Sequence, residues 1–273
     1  MRNLLEKENM VKDLEIVSNY LLGEFEKRID FNPLERLTAK SKEAIPFDYF
    51  SFYTSVSSVY SSKIEGENIE ADSYLKHKFL NVKYEPDYTK KPDDLYKAYE
   101  FSQNKKLNKK NVLKAHSILS QNLLSPSQRG IIRTNPMFVL NAEDRIKYVA
   151  CDPRKVKSEW NRLFSDIKKI RKSALSPSEV FYYASYIHLM FLKVHPLQDG
   201  NGRTARLIEK WFLREQFGNK AISIELEKNY YTNKLKYYEN IRVIGLDYED
   251  LDFTQCIDFL MMTINSLKKT KRK

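Results

Sequence analysis

The chain has 273 residues, 42% hydrophobic and 13% aromatic, with only 7 glycines, against about 19 at the usual glycine frequency of roughly 7%. That composition excludes a collagen, a flexible linker and a β-rich fold punctuated by tight turns, and the apolar content excludes a wholly disordered chain. The formal charge of +11 suits an acidic ligand or an anionic surface, but acidic residues are interspersed nearly throughout, as in an ordinary solvated exterior.

Apolar residues at three- and four-residue spacing predict helices over residues 10–28, 46–64, 69–80, 92–104 and 108–122. The same pattern returns over 154–171, 176–194, 203–217, 228–243 and 251–268. Ser176-Pro177-Ser178-Glu179 combines an N-cap serine, a proline at the first helical position and a glutamate three residues after the cap. Gly218-Asn219 after Phe217 is a helix stop. Between these helices, Met137–Leu140 and Ile146–Val149 are β-prone runs around the polar Asn141-Ala142-Glu143-Asp144-Arg145. One hairpin, Pro136 to Ala150, is expected in an otherwise helical protein, resting on helices or covering a ligand. Cys151 and Cys256, without a CxxC pattern, fit a reducing compartment. No signal-peptide core or run of about 18 apolar residues appears. A cytoplasmic protein is expected, with no membrane contact.

Two of the seven glycines fall in His195-Pro196-Leu197-Gln198-Asp199-Gly200-Asn201-Gly202-Arg203-Thr204-Ala205-Arg206. A long apolar helix stops at a histidine followed by proline, a glycine-rich loop follows, and a new helix begins near Arg203. Backbone N–H groups at such a helix start converge on an anion. Arg203 and Arg206 lie in the first turn, where cations oppose the dipole, and a bound polyphosphate or a carboxylate would remove the conflict. Asp199 is a hard oxygen ligand suited to Mg²⁺, and His195 is placed to take a proton from a hydroxyl. There is no GxxxxGK[ST], so this is not a Walker A loop.

This stretch resembles the signature of the Fic (filamentation induced by cAMP) family, HPFx[D/E]GNGRxxR, at His195, Pro196, Asp199, Gly200, Asn201, Gly202, Arg203 and Arg206. Leu197 stands where phenylalanine is usual, a core position in the family. Gly130-x-x-Arg133, His188 and Tyr230-Tyr231 add to the likeness, which covers much of residues 105–245. The resemblance implies a mainly α, Fic-type helical bundle with one β-hairpin flap near the active site. It implies a catalytic core over 105–245, an N-terminal helical region over 1–104 and a C-terminal helix with a basic tail over 246–273. The implied activity is transfer of AMP from ATP to a Ser, Thr or Tyr hydroxyl of a target protein, with release of pyrophosphate. His195 would be the base, and Asp199 would hold Mg²⁺. Gly200, Asn201, Gly202, Arg203 and Arg206 would bind the ATP phosphates. Tyr230, Tyr231 and Asn240 fall where the family builds its adenine pocket. The target would dock on the flap, 136–149, and a homodimer is the family-level expectation.

A third glycine closes Ser61-Ser62-Lys63-Ile64-Glu65-Gly66. Ser61 and Glu65 share a helix face, and Glu65 is a carboxylate at the negative end of a helix, the wrong sign for the dipole. Glu65 and Arg206 would relieve each other if they met. The stretch resembles the family's inhibitory motif, [S/T]xxxE[G/N], at Ser61, Glu65 and Gly66. The resemblance implies an inhibitory helix over about 46–66 whose glutamate pairs with Arg206 and keeps ATP from binding productively.

His188, His116 and His77 read as structural histidines. A second enzymatic reading is removal of AMP from a modified protein, with Glu65 aligning water. A reading of another class is a basic nucleic-acid-binding regulator, motivated by the charge and Lys268–Lys273. No helix-turn-helix, zinc finger or RNP pattern supports specific nucleic-acid binding.

Overall fold

A computed structural model describes residues 11–140 and 145–268, apart from the side chain of Pro86. Among the described residues there are twelve α-helices and one antiparallel hairpin. The helices are α1 (Leu22–Lys27), α2 (Pro33–Lys40), α3 (Tyr49–Ile64), α4 (Ala71–Leu80), α5 (Pro86–Gln103) and α6 (Lys109–Leu119). After the hairpin come α7 (Pro153–Ile170), α8 (Pro177–Val194), α9 (Asn201–Phe217), α10 (Leu226–Thr232), α11 (Lys234–Arg242) and α12 (Ile257–Asn265).

The helix α8 is apolar on every side because it is the axis of the fold, with α7, α9 and α12 packed around it. Its start uses the expected capping box: Glu179 N–H donates to Ser176 Oγ at 3.2 Å, and Ser176 N–H donates to Glu179 Oε2 at 2.6 Å. One apolar core runs from Val11 to Leu267 and includes Leu197. The helix α3, which ends just before Glu65, packs against α5, α9 and α10. Its buried face is rich in small hydroxyls (Ser55, Ser57, Ser58, Ser61, Ser62), two of which take donors from α9: Lys210 Nζ donates to Ser57 Oγ at 2.6 Å and Arg206 Nε to Ser61 Oγ at 2.8 Å. No helix among the described residues is long and apolar enough to cross a membrane.

Several predicted elements are corrected. Of 10–28 only Leu22–Lys27 is helical, because the N–H groups of Glu15, Ile16 and Val17 donate to the buried Asp166 carboxylate on α7 at 2.8–3.0 Å. Hydrogen bonds to a neighbouring helix replace the intrahelical ones. The helix α2 was not expected, although Asn32-Pro33-Leu34-Glu35 follows the same start grammar as Ser176: the Asn32 side chain accepts from Leu34 and Glu35 N–H. The helix α5 begins at Pro86 and carries Pro92 within it. The predicted helix 228–243 breaks between α10 and α11 at Asn233. The predicted helix 251–268 is helical over Ile257–Asn265 only; single 3₁₀ turns precede it, with the Asp247 and Asp252 side chains accepting from Glu249 and Thr254 N–H.

The hairpin pairs β1 (Phe138–Leu140) with β2 (Ile146–Val149) in the register Phe138↔Val149, Val139↔Tyr148 and Leu140↔Ile146. The predicted turn at Asn141–Asp144 lies outside the described residues. Tyr148 points inward and its hydroxyl donates to Lys193 O at 2.6 Å. Phe138, Leu140 and Ile146 are each about half exposed on the outer face. Val149 donates to Leu246 O at 2.8 Å and bridges in parallel with Asp247, so the outer edge of β2 is occupied while that of β1 is not paired among the described residues.

Candidate active site

The loop from α8 to α9 begins with His195, the C-cap of α8, held in the left-handed region at φ 51°, ψ 58°. Its N–H still donates to Phe191 O at 3.0 Å. Its Nδ1 lies 3.2 Å from Leu192 O. A carbonyl only accepts, so Nδ1 carries the proton and Nε2 keeps its lone pair. Burial pushes the imidazole down to about 4; the Leu192 carbonyl opposes this and Arg133 adds to it. His195 is therefore a neutral base near pH 7.

Leu197 is fully buried and anchors the loop. The Asn201 side chain braces it: Leu197 N–H donates to Asn201 Oδ1 at 2.9 Å, and Asn201 Nδ2 donates to Leu197 O at 2.8 Å. Its side-chain amide is spent on loop shape, so only its backbone N–H is left for an anion. Gly200 sits at φ 73° against α6, where a Cβ would come within 3.2 Å of Leu119 Cδ1 and 3.5 Å of His116 Nε2. His116 fastens this side of the loop. Gly130 N–H donates to its Nδ1 at 2.9 Å, and its Nε2 donates to Asp199 O at 3.0 Å. The Asp199 side chain is exposed at the rim, with Oδ1 accepting from Gly200 N–H at 2.5 Å.

Both motif arginines are buried and both meet carboxylates. Arg206 Nη2 lies 2.6 Å from Glu65 Oε1, Arg206 Nε donates to Ser61 Oγ at 2.8 Å, and Nη2 donates to Ser61 O at 3.1 Å. Arg203 Nη2 lies 3.0 Å from Glu67 Oε1, which also takes Lys91 Nζ at 2.7 Å. The end of α3 explains the pairing. Glu67 N–H donates to Ser62 O at 3.1 Å and Gly66 N–H to Lys63 O at 3.2 Å, around Gly66 at φ 91°. This Schellman closure reverses the chain at Gly66 and sends the carboxylates on either side of it to two arginines one turn apart. Glu65 Oε1 would lie 2.3 Å from a Cβ built on Gly202, so the carboxylate fills the notch that this glycine opens. Burial alone would raise the Glu65 carboxyl, but Arg206 and then Arg203 hold it below its ordinary range. Arg203 Nε is buried and has no partner among the described residues.

The adenine-pocket expectation changes most. Tyr230 is fully buried, its hydroxyl 2.8 Å from Glu209 Oε1 and 3.0 Å from Thr263 Oγ1. It is a core residue that lines no open surface. Tyr231 faces α3, with its ring 5.5 Å from that of Tyr60 and Lys63 Nζ 5.3 Å from its centre. Asn240 is half-buried on α11. The tyrosine that reaches the site is Tyr237, whose hydroxyl accepts from Arg206 Nη1 at 3.4 Å and lies 3.0 Å from His188 Nε2. His188 Nδ1 is 2.7 Å from Glu209 Oε2, so His188 is a hydrogen-bonded core histidine. His77 bonds Val82 O and Asp93 near the surface. Cys151 and Cys256 are free and buried, and burial pushes both thiols up to about 12.

Lys193, two residues before His195, is 2% exposed; its Nζ donates to Gly245 O at 3.2 Å and sits 4.3 Å from the centre of the Tyr148 ring. Burial pushes its amine down to about 7. Between pH 7 and the ordinary lysine value of about 10.4 the unfolded chain holds a proton that the folded chain has shed, so folding gains stability as pH rises through that window. Lys193→Met is expected to raise Tm most at pH 6–7, with the gain shrinking towards pH 10. A gain that stays level in thermal melts across this range would contradict the assignment.

The central loop of this helical fold thus sets a neutral histidine near the first turn of α9 and two buried arginines. Residues 106–213 match the model of the Fic/DOC family. A Fic family protein of Desulfovibrio desulfuricans G20 shares the fold at TM-score 0.67 and 17% identity, over 90% of this chain and 70% of that one. A Fic-domain-containing signaling protein of Bacteroides thetaiotaomicron aligns at TM-score 0.63 and 19% identity, over 86% and 94%. Fic-1 (residues 134–508) of C. elegans aligns at TM-score 0.57 and 16% identity, over 97% and 71%. No curated protein matches the sequence.

Sequence reasoning stopped at Gly66 and so missed Glu67, one residue further on. It also gave no role to Arg133, Lys91 or Tyr237, while His116, read as structural, does brace the loop.

Proposed function

We propose that the protein transfers AMP from ATP to a Ser, Thr or Tyr hydroxyl of a target protein, and that Glu65 and Glu67 hold it in an inhibited state. The observation that carries this reading is the occupied cradle: a carboxylate oxygen from α3 lies in the Gly202 notch, 2.6 Å from Arg206. An anionic oxygen suits that notch, and the unpartnered Arg203 Nε offers a further donor to phosphate. His195 Nε2 would accept the target hydroxyl proton as the hydroxyl oxygen attacks the α-phosphorus and pyrophosphate leaves. The backbone N–H groups of Asn201 and Gly202 and the dipole of α9 would stabilise the charge that develops on the phosphoryl oxygens. The exposed carboxylate of Asp199 fits Mg²⁺, which keeps several waters and leans on substrate phosphates. When bound, Mg²⁺ would neutralise charge on the α- and β-phosphates. The unpaired edge of β1 suits an extended target segment added by strand pairing, with Phe138 and Leu140 exposed beside it.

The test uses ATP labelled at the α- or the γ-phosphorus, Mg²⁺ and a lysate as target source. Label from the α position alone, lost in His195→Ala, is the expected result. Transfer of the γ label would make the protein a phosphotransferase and overturn the reading. Release of AMP from a modified protein without prior incorporation would instead favour the reverse activity.

A further inference from the structure

We propose that Arg133 is the positioning residue for His195, one guanidinium that fixes both the backbone of the base and the stem of the hairpin; this rests on the proposed role of His195. Arg133 is 4% exposed. Its Nε donates to His195 O at 2.6 Å, Nη1 to Asn135 O at 2.7 Å, and Nη2 to Cys151 O at 2.6 Å and Val194 O at 3.4 Å. Every one of these partners is a carbonyl. Two of them, on Val194 and His195, belong to the C-terminal end of α8, where carbonyls lack intrahelical donors and the helix dipole is negative. The charge is therefore compensated by oriented backbone.

The geometry has two consequences for the base. First, His195 is a non-glycine residue in the left-handed region, a strained conformation that persists only where its surroundings enforce it. Arg133 Nε grips its carbonyl, Arg133 N–H donates to Pro196 O at 2.9 Å, and Ile132 bridges Leu197. The residues on both sides of His195 are thus clamped. Second, Asn135 leads into β1 and Cys151 follows β2, so the same fork spans the two legs of the hairpin. If the hairpin presents the target hydroxyl, Arg133 sets where that hydroxyl lies relative to Nε2. A displacement of about 1 Å in such a pair can cost about 10²-fold in rate.

The charge itself acts in the same direction. The groups facing the imidazole are Arg133 from the segment before β1, Glu65 from the end of α3 and Asp199 from its own loop. Arg133 disfavours the imidazolium while the two carboxylates favour it. Lysine at 133 would keep the charge and lose the fork; methionine would lose both.

The experiment uses the full chain carrying Glu65→Gly as the active reference, with Arg133→Lys and Arg133→Met added in turn. Both variants are expected to lower kcat by about 10²-fold while KM for ATP stays near the reference, because Arg133 touches no residue of the anion cradle. An NMR titration of the His195 ring, assigned by its loss in His195→Asn, is expected to move up by about one pH unit in Arg133→Met and to stay in Arg133→Lys. A merely structural role would lower the folded fraction and leave kcat per folded molecule unchanged; that outcome in the lysine variant overturns the proposal. If the reference transfers no AMP, the functional reading fails by itself, and an unmoved titration in Arg133→Met then overturns the present inference independently.

Discussion

Replacing Glu65 with glycine is expected to raise AMP incorporation by about 10- to 100-fold over the native chain. The estimate follows from the geometry of Arg206. Glu65 supplies its only charged partner among the described residues, at 2.6 Å, but Ser61 supplies two further acceptors on the same helix. A hydrogen bond to a charged group contributes about 1.5–3 kcal/mol, and each 1.4 kcal/mol is tenfold. Holding a population at 99:1 against a bound nucleotide takes a difference of about 5.5 kcal/mol, so in the proposed inhibited state Glu65 would be one part of the restraint, and α3 packing and Glu67 would have to supply the rest. The same substitution is expected to lower Tm, since Arg206 is 1% exposed and loses its counter-charge. ATP with Mg²⁺ at about 100 times its Kd is expected to restore about 2.7 kcal/mol of stability. Incorporation is measured with α-labelled ATP, and Glu65→Gly combined with His195→Ala is expected to return it to background. An unchanged rate in the single variant, with the nucleotide bound, would remove Glu65 from the inhibitory mechanism.

How far these residues were legible in the sequence depends on what their partners are. The loop from His195 to Arg206 was legible because its parts are consecutive: a helix stop, two glycines and two arginines of the wrong sign for a helix start. Glu65 and Arg206 were legible as a pair of opposite charges at helix ends, although 141 positions separate them. The helix α9 starts at Asn201, two residues earlier than expected, which moves Arg206 into its second turn, so the dipole argument applies to Glu65 and Arg203 more than to Arg206. Arg133 was not legible in role, because its partners are main-chain carbonyls, which every residue carries. Segment 11–21 misled for a related reason: its apolar spacing did mark buried residues such as Val11, Val17 and Leu21, but Asp166, far along the chain, took the N–H groups that a helix would have used. Tyr230 was assigned to the adenine pocket by the family resemblance, whereas Glu209 and Thr263 hold its hydroxyl in the core.

Glu67 carries the second large prediction. The Schellman turn at Gly66 directs this carboxylate to Arg203, and Lys91 on α5 holds the same oxygen from the other side. A triphosphate that is to use both arginines must therefore displace two carboxylates. Glu67 keeps 24% exposure of its side chain, so its pair with Arg203 is worth less than a fully buried one, about 1 kcal/mol. That corresponds to about a fivefold change in the balance between restrained and free states. Glu67→Gln is expected to raise AMP incorporation by about that factor while Glu65 is present. Added to Glu65→Gly it is expected to give a smaller further rise, because the gain saturates as the free state becomes the major one. Neighbouring charges couple, so the four chains of a double-mutant cycle are needed. Nucleotide affinity offers a readout separate from catalysis: by isothermal titration, ATP is expected to bind more tightly to each variant, while AMP, which lacks the outer phosphates, is expected to change little. Equal affinity for ATP in the native chain and Glu67→Gln would show that Arg203 is free to meet phosphate with Glu67 in place, and the restraint would then rest on Glu65 and α3 alone.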